Sequence, residues 1–205
     1  MGKIMARETN RRKIRKAVAI IGEGISEKYY FEQLRTEENY NFKIKPELPK
    51  NSDYYYIFKK AISLLEVDFD YVFCLIDLDI LQDRGKQKRY SEAKNKLLAE
   101  ADKFDGNVSI IEQYPCFEIW FLLHFQVLGK TFKSCNNLLS ELKKYDFFQT
   151  YDKSRRWYER HDLYSDLKSK LDDAIGNCQK TNKNRSKAQC EIDRVIKFLR
   201  ATSSA

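Results

Sequence analysis

Nowhere in the 205 residues does an apolar run approach the ~20 positions that a bilayer-spanning helix needs, so no membrane partner is expected. The first sixteen residues are basic and polar, with no apolar segment until Ala17, which is not the pattern of a secretory signal. Histidine is scarce: there are two, His124 and His161. The five cysteines (Cys74, Cys116, Cys135, Cys178 and Cys190) are scattered and contain no CxxC pair. That scatter argues against zinc and against a disulfide framework. Cys74 and Cys116 lie in apolar segments and read as small core hydrophobes, and a reducing cytoplasm fits. No internal repeat, low-complexity tract or clear linker divides the chain. What remains is globular: 42% hydrophobic and 14% aromatic residues are enough for one well-formed core, with room for a small helical appendage.

The formal net charge is +8, which favours a polyanionic partner without requiring one. Its placement says more. Arg7, Arg11, Arg12, Lys13, Arg15 and Lys16 crowd the start of the chain, and Lys180, Lys183, Arg185 and Lys187 form a late cluster. Arg84, Lys86, Lys88 and Arg89 follow a pair of aspartates. Basic clusters beside carboxylates suit phosphate-backbone binding next to a metal site; solvated surface is the competing reading for each.

The stretch Asp70-Tyr71-Val72-Phe73-Cys74-Leu75-Ile76-Asp77-Leu78-Asp79 is the most informative. Its short, continuous apolar run suits a strand buried on both faces of a parallel sheet. Alternation along that strand would send Asp77 and Asp79 out together at its C-terminal end. Two close carboxylates need a compensating cation, and without His or Cys beside them an oxygen-preferring ion such as Mg²⁺ is the natural one. The alternative is a strand end whose aspartates cap a turn or the next helix.

Around this strand the pattern alternates. Ala17 to Ile21 reads as a first buried strand, followed by Gly22-Glu23-Gly24-Ile25-Ser26-Glu27 and a helix to about Arg35 with Ser26 as N-cap. The glycines permit a sharp turn and close backbone approach to a ligand. Glu27 has a structural explanation in the helix dipole, whereas Glu23 has none so simple. Asn41 to Leu48 reads as a strand kept at the edge by Pro46. A helix over Tyr54 to Leu65 follows the capping signals Asn51-Ser52-Asp53, and Leu81 to Tyr90 reads as a basic loop. Ser91 to Lys103 reads as a helix with Ala93, Leu97, Leu98 and Ala101 inward, and Asn107 to Glu112 as a fourth strand.

Next comes an apolar helix from Pro115 to Phe125, interrupted by Glu118, whose buried carboxylate needs a partner. His124 lies about 120° round that helix from Glu118, so the two are not an adjacent acid–base pair. It reads as a core histidine, and His161 as an exposed cap. Helices are expected over 134–145, 161–175 and 185–199, with a mobile loop at Asn177 to Lys187. Phe147, Phe148, Tyr151, Trp157 and Tyr158 interleave with Lys153, Arg155, Arg156 and Arg160, either to stack on bases or to anchor a helical layer. Alternating strands and helices predict an α/β fold with a largely parallel sheet, whose ligands gather at strand C-termini. Glu23, Asp77, Asp79 and Glu118 all follow such ends.

These residues resemble the RloB-like family, related to Toprim-fold proteins. The resemblance rests on Ile21-Gly22-Glu23-Gly24-Ile25-Ser26-Glu27 with Tyr30-Phe31, on Asp77-Leu78-Asp79, and on Pro115-Cys116-Phe117-Glu118-Ile119-Trp120 through His124-Phe125. It implies a Toprim-like Rossmannoid core with a mostly parallel four-stranded sheet between helices and a C-terminal helical portion. It also implies Mg²⁺- or Mn²⁺-dependent phosphodiester chemistry, as in OLD-type nucleases. Glu23 would be the essential glutamate, Asp77 and Asp79 the paired aspartates, and Glu27 and Glu118 further members. Where many Toprim proteins carry a glycine after the pair, this chain has Ile80-Leu81-Gln82-Asp83.

The expected organisation is a basic arm at 1–16, an α/β core at 17–128 and a helical extension at 129–205. The expected function is a metal-dependent nuclease acting on DNA or RNA in bacterial phage defence. Glu23, Glu27, Asp77 and Asp79 would hold the metal, Glu118 would complete the catalytic set, and Arg84, Lys86, Lys88 and Arg89 would meet the nucleic acid. A non-catalytic nucleic-acid-binding sensor subunit and a nucleotidyl transferase are the alternatives. The absence of a Tyr-bearing second domain and of a Cys-rich zinc module argues against a topoisomerase or a bacterial-type primase. A second copy of the chain or a partner defence protein would complete the assembly.

Overall fold

The computed structural model describes residues 16–48, 53–81, 84–183 and 188–203. Its strands are β1 (Ala17–Ile21), β2 (Lys43–Glu47), β3 (Tyr71–Asp77), β4 (Asn107–Tyr114) and β5 (Gln189–Cys190), in the order β2-β1-β3-β4-β5. The first four are mutually parallel. β5 pairs antiparallel with the end of β4, Gln113 opposite Cys190. The α/β class therefore holds, but the sheet is mixed and five-stranded rather than four-stranded. The added strand is two residues long, too short to leave an alternation in the sequence.

Apolar side chains leave both faces of the sheet. Ala19, Ile21, Val72, Cys74, Ile76 and Ile110 pack on one side under α2 (Tyr54–Leu65) and α3 (Arg84–Ala101). Val18, Ile20, Phe73, Leu75 and Ile111 pack on the other with α1 (Ile25–Glu38) and α4 (Ile119–Leu123). This is the two-sided burial that the unbroken run in β3 predicts. Each valine, isoleucine, leucine and phenylalanine among them contributes about 1.5–3 kcal/mol when taken from water. Pro46 sits on edge strand β2, as its missing N–H demands.

The later chain is helical: α5 (Cys135–Leu142), α6 (Arg155–Tyr158), α7 (Leu163–Leu167), α8 (Leu171–Lys183) and α9 (Ile192–Ser203). Phe198 of α9 packs on Tyr71 and Phe73 of β3, at ring separations of 4.5 and 5.1 Å. The C-terminal portion thus covers a face of the sheet besides supplying β5. Among the described residues, no helix is long and apolar enough to cross a membrane.

Several expected boundaries move. α1 begins at Ile25 with Gly24 as its N-cap, so Ser26 is inside the helix and its hydroxyl is spent elsewhere. Asp53 does cap α2, accepting the Tyr55 N–H at 2.8 Å. The basic stretch expected as a loop is the first part of α3, and Leu98, expected inward, is 39% exposed. The helix expected from Pro115 shortens to α4, because residues 116 and 117 make i→i+3 turns (Ile119 N–H to Cys116 O, Trp120 N–H to Phe117 O), and the first i→i+4 bond runs from Leu122 N–H to Glu118 O. The peptide Tyr114–Pro115 is cis. Residues 177–183, expected as loop, continue α8. Arg185 and Lys187, like the basic arm up to Arg15 and Asp83, lie outside the described residues.

Cys116 and Cys135 form a disulfide, against the expectation of free thiols; packing brings together two residues whose spacing carried no signal. Cys74 is a buried free thiol, as expected.

Neither turn glycine before α1 has a positive φ. Gly22 is needed for a different reason: a Cβ there would lie 2.4 Å from the Glu27 Cβ. Gly22→Ala is expected to lower stability by about 1–3 kcal/mol through overpacking. Gly176→Ala, within α8 and with no atom within 4 Å of the added Cβ, should instead raise it by about 0.5–1 kcal/mol. Urea unfolding of both variants separates the two effects.

Candidate functional site

The parallel strands end along one rim, and the chain places a carboxylate just past several of these ends. Glu23 follows β1, Asp77 closes β3, and Glu118 follows β4. Glu27 joins them from the first turn of α1. Together with Ser26 and Lys153 these four acids line one cavity of about 310 Å³.

Hydrogen bonds fix the acids in place. Glu23 accepts the Asp77 N–H at 2.8 Å, tying the ends of neighbouring strands β1 and β3. Glu27 reaches back to accept the Glu23 N–H at 3.2 Å, a variant of the capping box that holds the turn. Asp77 accepts the Gln113 amide at 3.0 Å. Glu118, with no exposed surface, accepts the Ser26 hydroxyl at 2.7 Å and the Tyr151 hydroxyl at 2.8 Å on one oxygen. Its other oxygen meets the Lys153 ammonium at 2.8 Å. Tyr158 extends this chain, its hydroxyl 2.6 Å from that of Tyr151.

Lys153 is held by its local structure. Asp152 accepts the Ser154 N–H at 2.9 Å, and Ser154 caps α6 by accepting the Trp157 N–H at 3.1 Å. Between them Lys153 adopts a left-handed backbone, φ 55°, uncommon for a residue with a side chain.

Four acids facing one ammonium leave excess negative charge in a poorly solvated place. Burial raises the pKa of Glu23 to about 8, helped by the charges of Glu27 and Asp79 against the opposing Asp77 N–H. Burial raises that of Glu27 to about 7, with Glu118 adding to it. Asp77 is pushed well up by burial and then by Glu27, Glu23 and Glu118, while the Gln113 bond opposes. Burial disfavours the Lys153 charge, but Glu118, Asp77 and Glu27 outweigh it, and its affinity for a proton rises.

A family model described as RloB-like protein matches residues 18–199, from β1 into α9. The chain belongs to the RloB-like protein family. Neither the curated proteins nor the solved structures yield a match. Every cavity acid of this RloB-like chain, and Lys153 too, falls inside the matched span.

Asp79 departs from the expected geometry. β3 ends at Asp77, and Leu78–Leu81 form a 3-10 turn, so strand alternation does not extend to the second aspartate. Its N–H donates to Pro115 O at 3.2 Å, and its charge is felt by Glu23, but it does not line the cavity. Arg84, Lys86, Lys88 and Arg89 are exposed on the first turns of α3, outside the cavity lining, with Lys88 paired to Glu92 at 4.0 Å. Phe148, Tyr151, Trp157 and Tyr158 are buried, so they anchor the helical layer and are not free to stack on bases. His124 is a core histidine, bonded through Nδ1 to Trp120 O at 2.9 Å, its pKa lowered by burial to about 4. His161 is no exposed cap; it is half-buried and stacks on Trp157 at 4.1 Å.

Lys153, Tyr151 and Gln113 join the site without a signal in the sequence. Lys153 and Tyr151 belong to the aromatic–basic segment, whose composition suits base stacking and helix anchoring equally well and points to no carboxylate. Gln113 lies one residue past the expected end of its strand. A second cavity of about 340 Å³ lies between α2 and α3, lined mainly by Tyr55, Phe58, Ile62 and Leu97, and carries none of the predicted acids.

The raised carboxyls bind protons more tightly folded than unfolded, where Glu and Asp titrate near 4. Their stabilisation is full below about pH 4 and is lost as pH rises to about 8. The protein held free of divalent ions should therefore melt at lower temperature at about pH 8 than at about pH 5.5, and Glu23→Gln should flatten that slope. Calorimetry at both pH values tests it; equal slopes in the two proteins would show that Glu23 ionises freely.

Proposed function

We propose that this RloB-like protein is a divalent-metal-dependent nuclease that hydrolyses phosphodiester bonds in DNA or RNA. The observation that carries the reading is the meeting of Glu23, Glu27, Asp77 and Glu118 in one cavity opposite a single ammonium. The acidic donors are all oxygen, which suits Mg²⁺ or Mn²⁺ and not a soft metal. Gln113 adds a buried amide oxygen with no hydrogen-bond partner, the kind of group such an environment accommodates. Glu23, Glu27 and Asp77 would hold the ion, with Asp79 beside the turn and Glu118 completing the acid set. A bound divalent ion supplies a water of lowered pKa and neutralises charge on the phosphate.

The chain's own groups have definite tasks in this scheme. Gln113 and the Glu23–Asp77 bond orient the Asp77 carboxylate. Lys153, about one-third exposed at the cavity, is placed to bind a phosphoryl oxygen as negative charge develops. Arg84 and Lys86 lie in the first turn of α3, at the positive end of its dipole, where cations are unfavourable for the helix, and Lys88 and Arg89 follow in the next turn. A polyanion face accounts for them better than helix stability does. The placement of acids at strand ends, and the Toprim-like and phage-defence character that the resemblance to RloB-like proteins implies, support a defence role in the bacterial cytoplasm.

Incubation with single- and double-stranded DNA and with tRNA, with Mg²⁺ or Mn²⁺, tests the reading. Cleavage should fall at least about 100-fold in Glu23→Gln and in Asp77→Asn, with binding retained. Binding without cleavage under either metal would leave a non-catalytic nucleic-acid-binding subunit, and incorporation of labelled nucleoside triphosphate would leave a nucleotidyl transferase.

The basic face has its own check. Replacing Arg84, Lys86, Lys88 and Arg89 by glutamine should weaken binding and reduce the salt slope of log K by up to about 3 to 4. An unaltered slope would place the nucleic acid elsewhere.

A further inference from the structure

The disulfide borders the acid cavity. Cys116 lies two residues before Glu118, and Cys135 opens α5; the Cys135 Sγ is 3.7 Å from the second Glu118 oxygen and 3.2 Å from the Lys153 Nζ. The two sulfurs and a Glu118 oxygen all lie within 4.8 Å of one another. Ligand atoms in a tetrahedral zinc centre, with metal–ligand distances of about 2.0–2.3 Å, sit about 3.3–3.8 Å apart, so little movement is needed. Cys116 is buried and Cys135 half-buried, which leaves one sulfur within reach of a reductant and a metal.

We propose that reduction of the Cys116–Cys135 disulfide opens a thiophilic metal site, made by Cys116, Cys135 and Glu118, for a borderline-soft ion such as Zn²⁺. The step is balanced by a dithiol reductant. It delivers two electrons and two protons, the S–S bond breaks to give two thiols, and the reductant leaves as its own disulfide. On metal binding, both thiol protons pass to solvent. Two thiolates and one carboxylate then satisfy the preference of Zn²⁺ for sulfur, which the acid cavity cannot offer.

The site stands apart from the chemistry of the acid cavity, but its consequence for that cavity rests on the nuclease reading. Glu118 cannot serve both, so zinc on the thiols withdraws one carboxylate from the acid set. The Lys153 ammonium now occupies the space between Cys135 and Glu118, so zinc must displace it.

Titration of the full chain with Co²⁺, a spectroscopic stand-in for zinc, decides the matter. The dithiothreitol-reduced protein, after removal of reductant under nitrogen, should show the near-ultraviolet thiolate-to-cobalt band, saturating at one equivalent and bleached by Zn²⁺. The protein oxidised with diamide should show none. Cys135→Ser should lose the band, and Asp77→Asn should keep it, since an oxygen-only cavity gives no such band. Lys153→Met should bind Zn²⁺ at least about tenfold more tightly, about 1.4 kcal/mol. Reduced wild-type protein with no band, or a band unchanged in Cys135→Ser, overturns the proposal. Absence of nucleic-acid cleavage by the wild-type protein, with the band intact, would overturn only the reading of the acid cavity.

Discussion

A carboxylate with no solvent-exposed surface must be compensated by its neighbours, and at Glu118 Ser26, Tyr151 and Lys153 do this. They come from α1 and from the turn before α6, while Glu118 itself sits between β4 and α4. One ion pair therefore joins the sheet rim to the helical layer. Removing Lys153 would strand the Glu118 charge where water does not reach it. Phe121, Phe148 and Trp157 pack around the Tyr151 ring and keep water from its hydroxyl, which strengthens the Tyr151–Glu118 bond.

The acids facing Glu118 are organised by the opposite rule. Glu23, Glu27 and Asp77 bond to backbone N–H groups or to an amide, which fixes their geometry but supplies no full positive charge. The turn that carries two of them is crowded, with Gly22 leaving room for the Glu27 side chain. A structural ion-pair network would balance its charges; this cavity holds them unbalanced. That imbalance, more than the number of acids, is what raises the carboxyl pKa values and what the proposed cation would relieve.

Much of this is legible in the residues alone. The β3 run, the placement of Glu23, Asp77 and Glu118 after strand ends, and the edge position of Pro46 each follow from local pattern, because an apolar run, its flanking residues and a missing N–H are read within one segment. Asp79 departs for a local reason as well: the strand stops at Asp77, short of the length that the alternation argument needs. Lys153, Tyr151 and the Cys116–Cys135 bond are out of reach, since each depends on a contact between segments far apart in the chain. Burial of the tyrosines decides between two uses of the aromatic–basic segment that composition leaves open.

Lys153 links these observations. Its left-handed backbone is set by the Asp152–Ser154 turn, and its ammonium touches both a cavity acid and a disulfide sulfur. A lysine present only to neutralise Glu118 would have no need to lie at the cavity lining, about one-third exposed. One poised for a phosphate would face the cavity, as this one does, and would be drawn away from Glu118 whenever an anion entered. Because the same ammonium contacts Cys135, the proposed chemistry of the reduced thiols and the proposed chemistry of the acids would compete for one charge. The two proposed chemistries would therefore be coupled through electrostatics at Lys153, with no rearrangement of the sheet required.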